Sequence, residues 1–94
     1  MRVNWSPADA ADFEGIVQHI REQNAPAALR IARLIYQSAA GLKTFPNRGR
    51  LGRVEGTREL VLSPLPFILI YRVKTDFVEI ANVLHGAQQW PPKP

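Results

Sequence analysis

The side chains best suited to chemistry in this chain are guanidiniums, and four of them are crowded together. Arg48, Arg50 and Arg53 alternate with Gly49 and Gly52 in Phe45-Pro46-Asn47-Arg48-Gly49-Arg50-Leu51-Gly52-Arg53, and Arg58 follows in Thr57-Arg58-Glu59-Leu60. A guanidinium presents a planar fork of donors that fits carboxylate and phosphate oxygens, so the cluster points to an acidic partner. Glycine leaves this stretch the freest backbone in the chain, and Pro46 closes whatever helix precedes it. The plainer reading is a solvated loop that serves solubility. In either case, exposed charge here is expected to add little to folding stability. Arg72 interrupts an apolar run and must reach solvent and a partner, or pair with Glu79 or Glu59. His85, beside Gly86, titrates near neutrality and suits a general base; alternatively it hydrogen-bonds backbone at a sheet edge.

Other chemistries find no support. His19 and His85 have no cysteine companions and no His-x-x-x-His spacing, so neither a metal site nor a cofactor is expected. Asp9, Asp12 and Glu14 fall early in a helix, where negative charge complements the helix dipole. Trp5 is expected in the core, whereas Trp90, among glutamines and prolines, either docks the tail or anchors a partner.

The charge balance repeats the message of the arginines. Residues 1–23 carry a net −2, residues 24–75 a net +7 and residues 76–94 a net −1. The middle of the chain is therefore expected to face something acidic. Ninety-four residues allow one domain, 1–94, with the tail at 87–94 expected to be flexible. With no cysteine, no secretion-type N-terminus and no apolar run near the ~18 residues that span a bilayer, a cytoplasmic address without membrane contact is expected.

The elements that must position these residues can be read from periodicity. Arg2-Val3-Asn4-Trp5 alternates as a short strand does. Ser6 caps a helix with Pro7 in its first turn and Asp9 beyond, and Phe13, Ile16, Val17 and Ile20 make one apolar stripe reaching about Gln23. Asn24 and Pro26 open a second helix almost at once. Ile31, Leu34, Ile35, Ala39 and Leu42 form its apolar face, and Leu29, Ala32 and Tyr36 are expected to widen the buried area so that it touches both the first helix and a sheet. Three strands follow: Arg58 to Ser63, Phe67 to Lys74 and Phe77 to about His85, with Pro64 and Pro66 in one turn and Thr75-Asp76 in the other. Phe67-Ile68-Leu69-Ile70-Tyr71 is apolar without alternation, as for a strand covered on both faces.

Several of these segments, taken in order, resemble the RelE/ParE superfamily of toxins from bacterial type II toxin-antitoxin systems. The resemblance rests on Trp5-Ser6-Pro7-Ala8, on Phe45-Pro46-Asn47-Arg48-Gly49-Arg50, on Thr57-Arg58-Glu59-Leu60, on Tyr71-Arg72-Val73 within the Phe67 strand, and on Val83-Leu84-His85-Gly86. It covers nearly the whole chain. It implies an α+β fold of order β-α-α-β-β-β, with a helical hairpin on one face of a mainly antiparallel, curved sheet. It also implies a cognate antitoxin as partner, for which an apolar groove between hairpin and sheet is the expected seat.

The superfamily contains ribosome-dependent mRNA endonucleases resembling RelE and DNA gyrase inhibitors resembling ParE. The cationic positions of the nuclease branch correspond here to Glu59, Val61, Ile68 and Gln88, none of which is a cation. The resemblance therefore favours a ParE-like inhibitor that binds gyrase through a surface, with Arg48, Arg50, Arg53, Arg58, Arg72 and Trp90 as its target-binding residues. The alternative is a RelE-like endoribonuclease acting on ribosome-bound mRNA with Arg58, Arg72 and His85 as an irregular catalytic set. A third possibility is a degenerate module that only binds antitoxin.

Overall fold

The computed structural model of the chain describes residues 1–85. Its elements run β1 (Arg2–Trp5), α1 (Pro7–Gln23), α2 (Ala25–Gly41), β2 (Arg50–Leu51), β3 (Arg58–Val61), β4 (Phe67–Val73) and β5 (Phe77–His85). The expected order is present with one addition: β2 lies inside the stretch read as an arginine loop. That pair of residues is too short for period-two patterning to reveal. No described helix is long and apolar enough to cross a membrane.

Both helix starts follow from their caps. Ser6 accepts from the Asp9 N–H at 3.1 Å while the Asp9 carboxylate reaches back to the Ser6 N–H and hydroxyl, a reciprocal capping box. Asn24 closes α1 by donating its N–H to the Ile20 carbonyl and opens α2 by accepting from the Ala27 N–H. One residue thus ends one helix and starts the next, which forces the tight hairpin.

The sheet order is β1-β5-β4-β3-β2. Every neighbouring pair is antiparallel except β1 with β5, where Arg2 pairs with Phe77 and Trp5 with Ile80 in parallel. Strands alternate their side chains between faces. Leu60 and Leu62, Phe67, Leu69 and Tyr71, and Val78, Ile80 and Val83 therefore share one face, which packs on Ile35, Ala39 and Leu42 in a single core. An irregularity in the β4–β5 register beside Ile70 and Tyr71 keeps Val83 on this face. Trp5 joins the core edge and meets Phe13 edge-on, with ring centroids 5.3 Å apart. Ile70 and Leu84 point the other way and are buried too, so the central strands are covered on both faces as their composition implied.

The second helix is the more buried of the two, through Ala28, Ile35 and Ala39, but its apolar face is narrower than expected. Leu29 and Tyr36 are 60% and 61% exposed, and Leu34 is 44% exposed. The core packing runs through Ala28, Ile31, Ile35, Ala39 and Leu42, and Leu29, Leu34 and Tyr36 remain largely in solvent.

Candidate functional site

The arginine-rich stretch leaves α2 through a turn in which the Phe45 N–H donates to the Gly41 carbonyl, and it returns to the sheet as β2. Tyr71 of β4, with no exposed surface, holds it from below. Its hydroxyl donates to the Pro46 carbonyl at 2.7 Å and accepts the Gly49 N–H at 2.8 Å. A buried phenol needs such partners, and here the loop backbone supplies both. Burial pushes the Tyr71 pKa up, and the Gly49 N–H and the nearby Arg58 and Arg48 charges only partly oppose it.

Gly49 is the residue that lets the loop come this close. A Cβ on it would stand 2.7 Å from the Tyr71 hydroxyl and 2.8 Å from its ring. Arg58, beside Tyr71 in the β3–β4 register, completes the hold: its guanidinium donates to the Gly49 carbonyl at 2.7 Å and to the Asn47 carbonyl at 3.4 Å. The glycines thus do not supply the free backbone expected of them. Gly49 supplies close approach, and the one positive φ among the described residues, at Gly56, belongs to the following turn.

On the opposite face of β3, Glu59 grips the same segment. Its side chain is 2% exposed, and it accepts from the Arg50 guanidinium at 3.0 Å and from the Arg53 N–H at 3.0 Å, with the Arg53 guanidinium 3.8 Å away. Burial is the largest single influence on Glu59 and opposes its ionisation. The Arg53 N–H, the Arg50 hydrogen bond and the two positive charges together outweigh it and hold the carboxyl below its ordinary value. This corrects the expectation that the loop charges add little to stability, because Arg50 and Arg53 compensate a buried anion.

The six residues expected to bind a target therefore fall into different settings. Arg50, Arg53 and Arg58 tie the loop down. Arg48 is exposed and lines a concavity with Thr44, Phe45, Pro46 and Asn47. Arg72 stands opposite Glu79 in the register, 3.8 Å from its carboxylate, both half-exposed, which realises the Glu79 option and not the Glu59 one. Trp90, like Gln88, lies outside the described residues.

The three residues of the irregular catalytic set are not brought together. Arg58 pairs with Tyr71 and His85 with Phe67, four positions apart on β4 or about 13 Å at ~3.3 Å per residue. Arg72 projects from the other face of β4. His85 is exposed and meets the Phe67 ring edge-on at 5.7 Å. It borders a cleft of about 750 Å³ between α1 and the sheet, lined by Gly15, Ile16, His19 and Ile20 on the helix and by Phe67 and Val83 on the strands. An apolar groove between hairpin and sheet is thus present. No group of three or more potential metal ligands occurs among the described residues.

From the sequence, Tyr71 has only a place in a covered strand and Glu59 only the option of pairing with Arg72, and neither is assigned the hold on the loop. The available signal was chemical: a tyrosine closing an apolar strand and a glutamate opening another both need buried partners, and the glycine-spaced arginines are the segment able to supply them.

A family model described as ParE toxin of the type II toxin-antitoxin system, parDE, matches residues 3–90. The chain belongs to the ParE toxin family. Among curated relatives, it is 38% identical over 90 residues to "Putative toxin Y4kP" of Sinorhizobium fredii, covering 96% of this chain and 93% of that protein. It is 33% identical over 87 residues to "Toxin RelE2" of Caulobacter vibrioides, covering 93% and 97%. Among solved structures, it is similar to one described as the chromosomal ParDE TA system from P. aeruginosa. The TM-score is 0.83 at 30% identity, over 90% of this chain and 95% of that one. The α+β arrangement of two helices on a five-stranded mixed sheet is therefore the ParE toxin fold, and the family implies a cognate antitoxin.

Proposed function

We propose that this ParE-family toxin inhibits growth by binding DNA gyrase through a protein surface, without hydrolytic chemistry, and that its cognate antitoxin silences it in the cytoplasm. The observation that carries this reading is how the cations are used. Phosphodiester cleavage needs a base and cations converging on one phosphate. Arg58 is spent on loop carbonyls, Arg72 faces Glu79 on the opposite side of the sheet, and His85 stands about 13 Å along β4 from the Arg58 position. Where the nuclease branch is expected to carry lysines and arginine, Glu59 is buried in ion pairs and Val61 and Ile68 are apolar.

The cleft between α1 and the sheet supports an antitoxin seat. Its apolar floor of Ile16, Ile20, Phe67 and Val83 suits an amphipathic segment that folds on binding. Two assays run side by side test the target: gyrase supercoiling, expected to be inhibited by the purified toxin, and cleavage of ribosome-bound mRNA, expected to be absent. Codon-phased cuts abolished by Arg72→Ala or His85→Ala would replace gyrase inhibition with nuclease activity.

A further inference from the structure

The two sides of the arginine loop differ in kind. On the side of Glu59, Arg50 and Arg53 share one buried carboxylate, so much of their charge is already answered. On the other side, Phe45 is 66% exposed and shares a concavity with Arg48, whose guanidinium makes no hydrogen bond or ion pair among the described residues. Leu51, 78% exposed, pairs with Arg58 in the β2–β3 register and so projects to the same side as the guanidinium that holds Asn47 and Gly49. Both apolar side chains are thus carried on a backbone that a core tyrosine and a buried carboxylate hold in place. Exposed phenylalanine and arginine on a preorganised backbone are residue types enriched at protein interfaces.

We propose that Phe45, Arg48 and Leu51 form the contact through which the toxin grips its target, and that the partner is a protein surface offering an apolar pocket for Phe45 edged by a carboxylate for Arg48. A nucleic-acid backbone fits less well. It would be drawn by many uncommitted cations, and here the neighbouring guanidiniums face Glu59 or the loop carbonyls, while Phe45 and Leu51 offer a phosphate nothing. The charge complementarity is thus local, one arginine to one carboxylate, with apolar burial beside it. The contact rests on the reading of the chain as a target-binding toxin, but it is independent of which protein the target is.

The test uses the full-length toxin and its Phe45→Ala, Arg48→Ala and Arg50→Ser variants, each first checked by thermal unfolding. Growth inhibition on induction is measured in cells, and binding to purified gyrase without DNA and to a DNA duplex alone is measured by calorimetry. Phe45→Ala and Arg48→Ala are expected to melt with the wild type, to lose growth inhibition and to weaken gyrase binding by about 30-fold or more, as at hot-spot positions. Arg50→Ser, which removes one cation from the Glu59 anchor of the loop, serves only to read duplex binding. Phe45→Ala as toxic as the wild type would overturn the contact, as would duplex binding that weakens in Arg48→Ala and Arg50→Ser alike. If the wild type is toxic and the two variants are not, yet no gyrase binding is seen, the contact stands and gyrase is the wrong target. A wild type without toxicity overturns both.

Discussion

Tyr71 and Glu59 carry more of the site than any arginine, because each is a buried polar group whose partners all come from one segment. Tyr71→Phe keeps the ring and removes the hydroxyl, leaving the Gly49 N–H and the Pro46 carbonyl without their partner. A loss of about 1–3 kcal/mol is expected in chemical denaturation, the usual penalty for unsatisfied buried groups. Arg50→Ser together with Arg53→Ser strips Glu59 of both cations and leaves it one backbone donor. The expected destabilisation is roughly 1–2 kcal/mol, below the figure for a fully buried pair, because both guanidiniums are more than half exposed and screened. Arg48→Ser, which touches neither anchor, is expected to leave the unfolding midpoint within about 0.5 kcal/mol of wild type. Comparing the double with the single variant separates holding the loop from meeting a partner.

At the scale of elements, the hairpin, β1 and the three long strands were legible because each advertises itself locally. Ser6-Pro7 and Asn24-Ala25-Pro26 mark helix starts, and Phe67–Tyr71 reads as a strand covered on both sides. What stayed hidden depends on contacts distant in sequence. β2 exists only because Arg50 and Leu51 meet Glu59 and Arg58, and the loop is held down in part by Tyr71, 22 residues beyond Gly49. The same distance misled the reading of α2, where Leu29 and Tyr36 fit a helical stripe that nothing in the described residues covers. Gly49→Ala tests the loop as an element. Its added methyl would meet the Tyr71 hydroxyl and ring and, at 3.0 Å, the Glu59 carbonyl, none of which can retreat without opening β2–β3. The expected outcome is faster amide exchange at residues 46–51 and a loss of about 1–3 kcal/mol, as for overpacking in a close-packed interior.

For the whole molecule, the two shifted groups bound a plateau of stability in pH. Glu59 binds its proton less readily folded than unfolded, so its contribution is complete above the ordinary carboxyl value of 4.5 and drains away as the pH falls through the lower folded value. Tyr71 holds its proton more tightly when folded, so its contribution is complete below 10.0 and is lost as the pH rises through the higher folded value. Melting temperature is expected to be level between these limits and to fall outside them. Glu59→Gln should flatten the acid limb and Tyr71→Phe the alkaline one. The parallel pairing of β1 with β5 adds a consequence in time. Residues 2–5 leave the ribosome before the rest of the described domain, yet their strand partners are residues 77–80, 75 positions later. At ~5–20 residues per second of synthesis, the opening strand waits several seconds for its neighbour. The β1 edge of the sheet is therefore completed only once β5 has been made, and the described fold stays unfinished until nearly all of it has been translated.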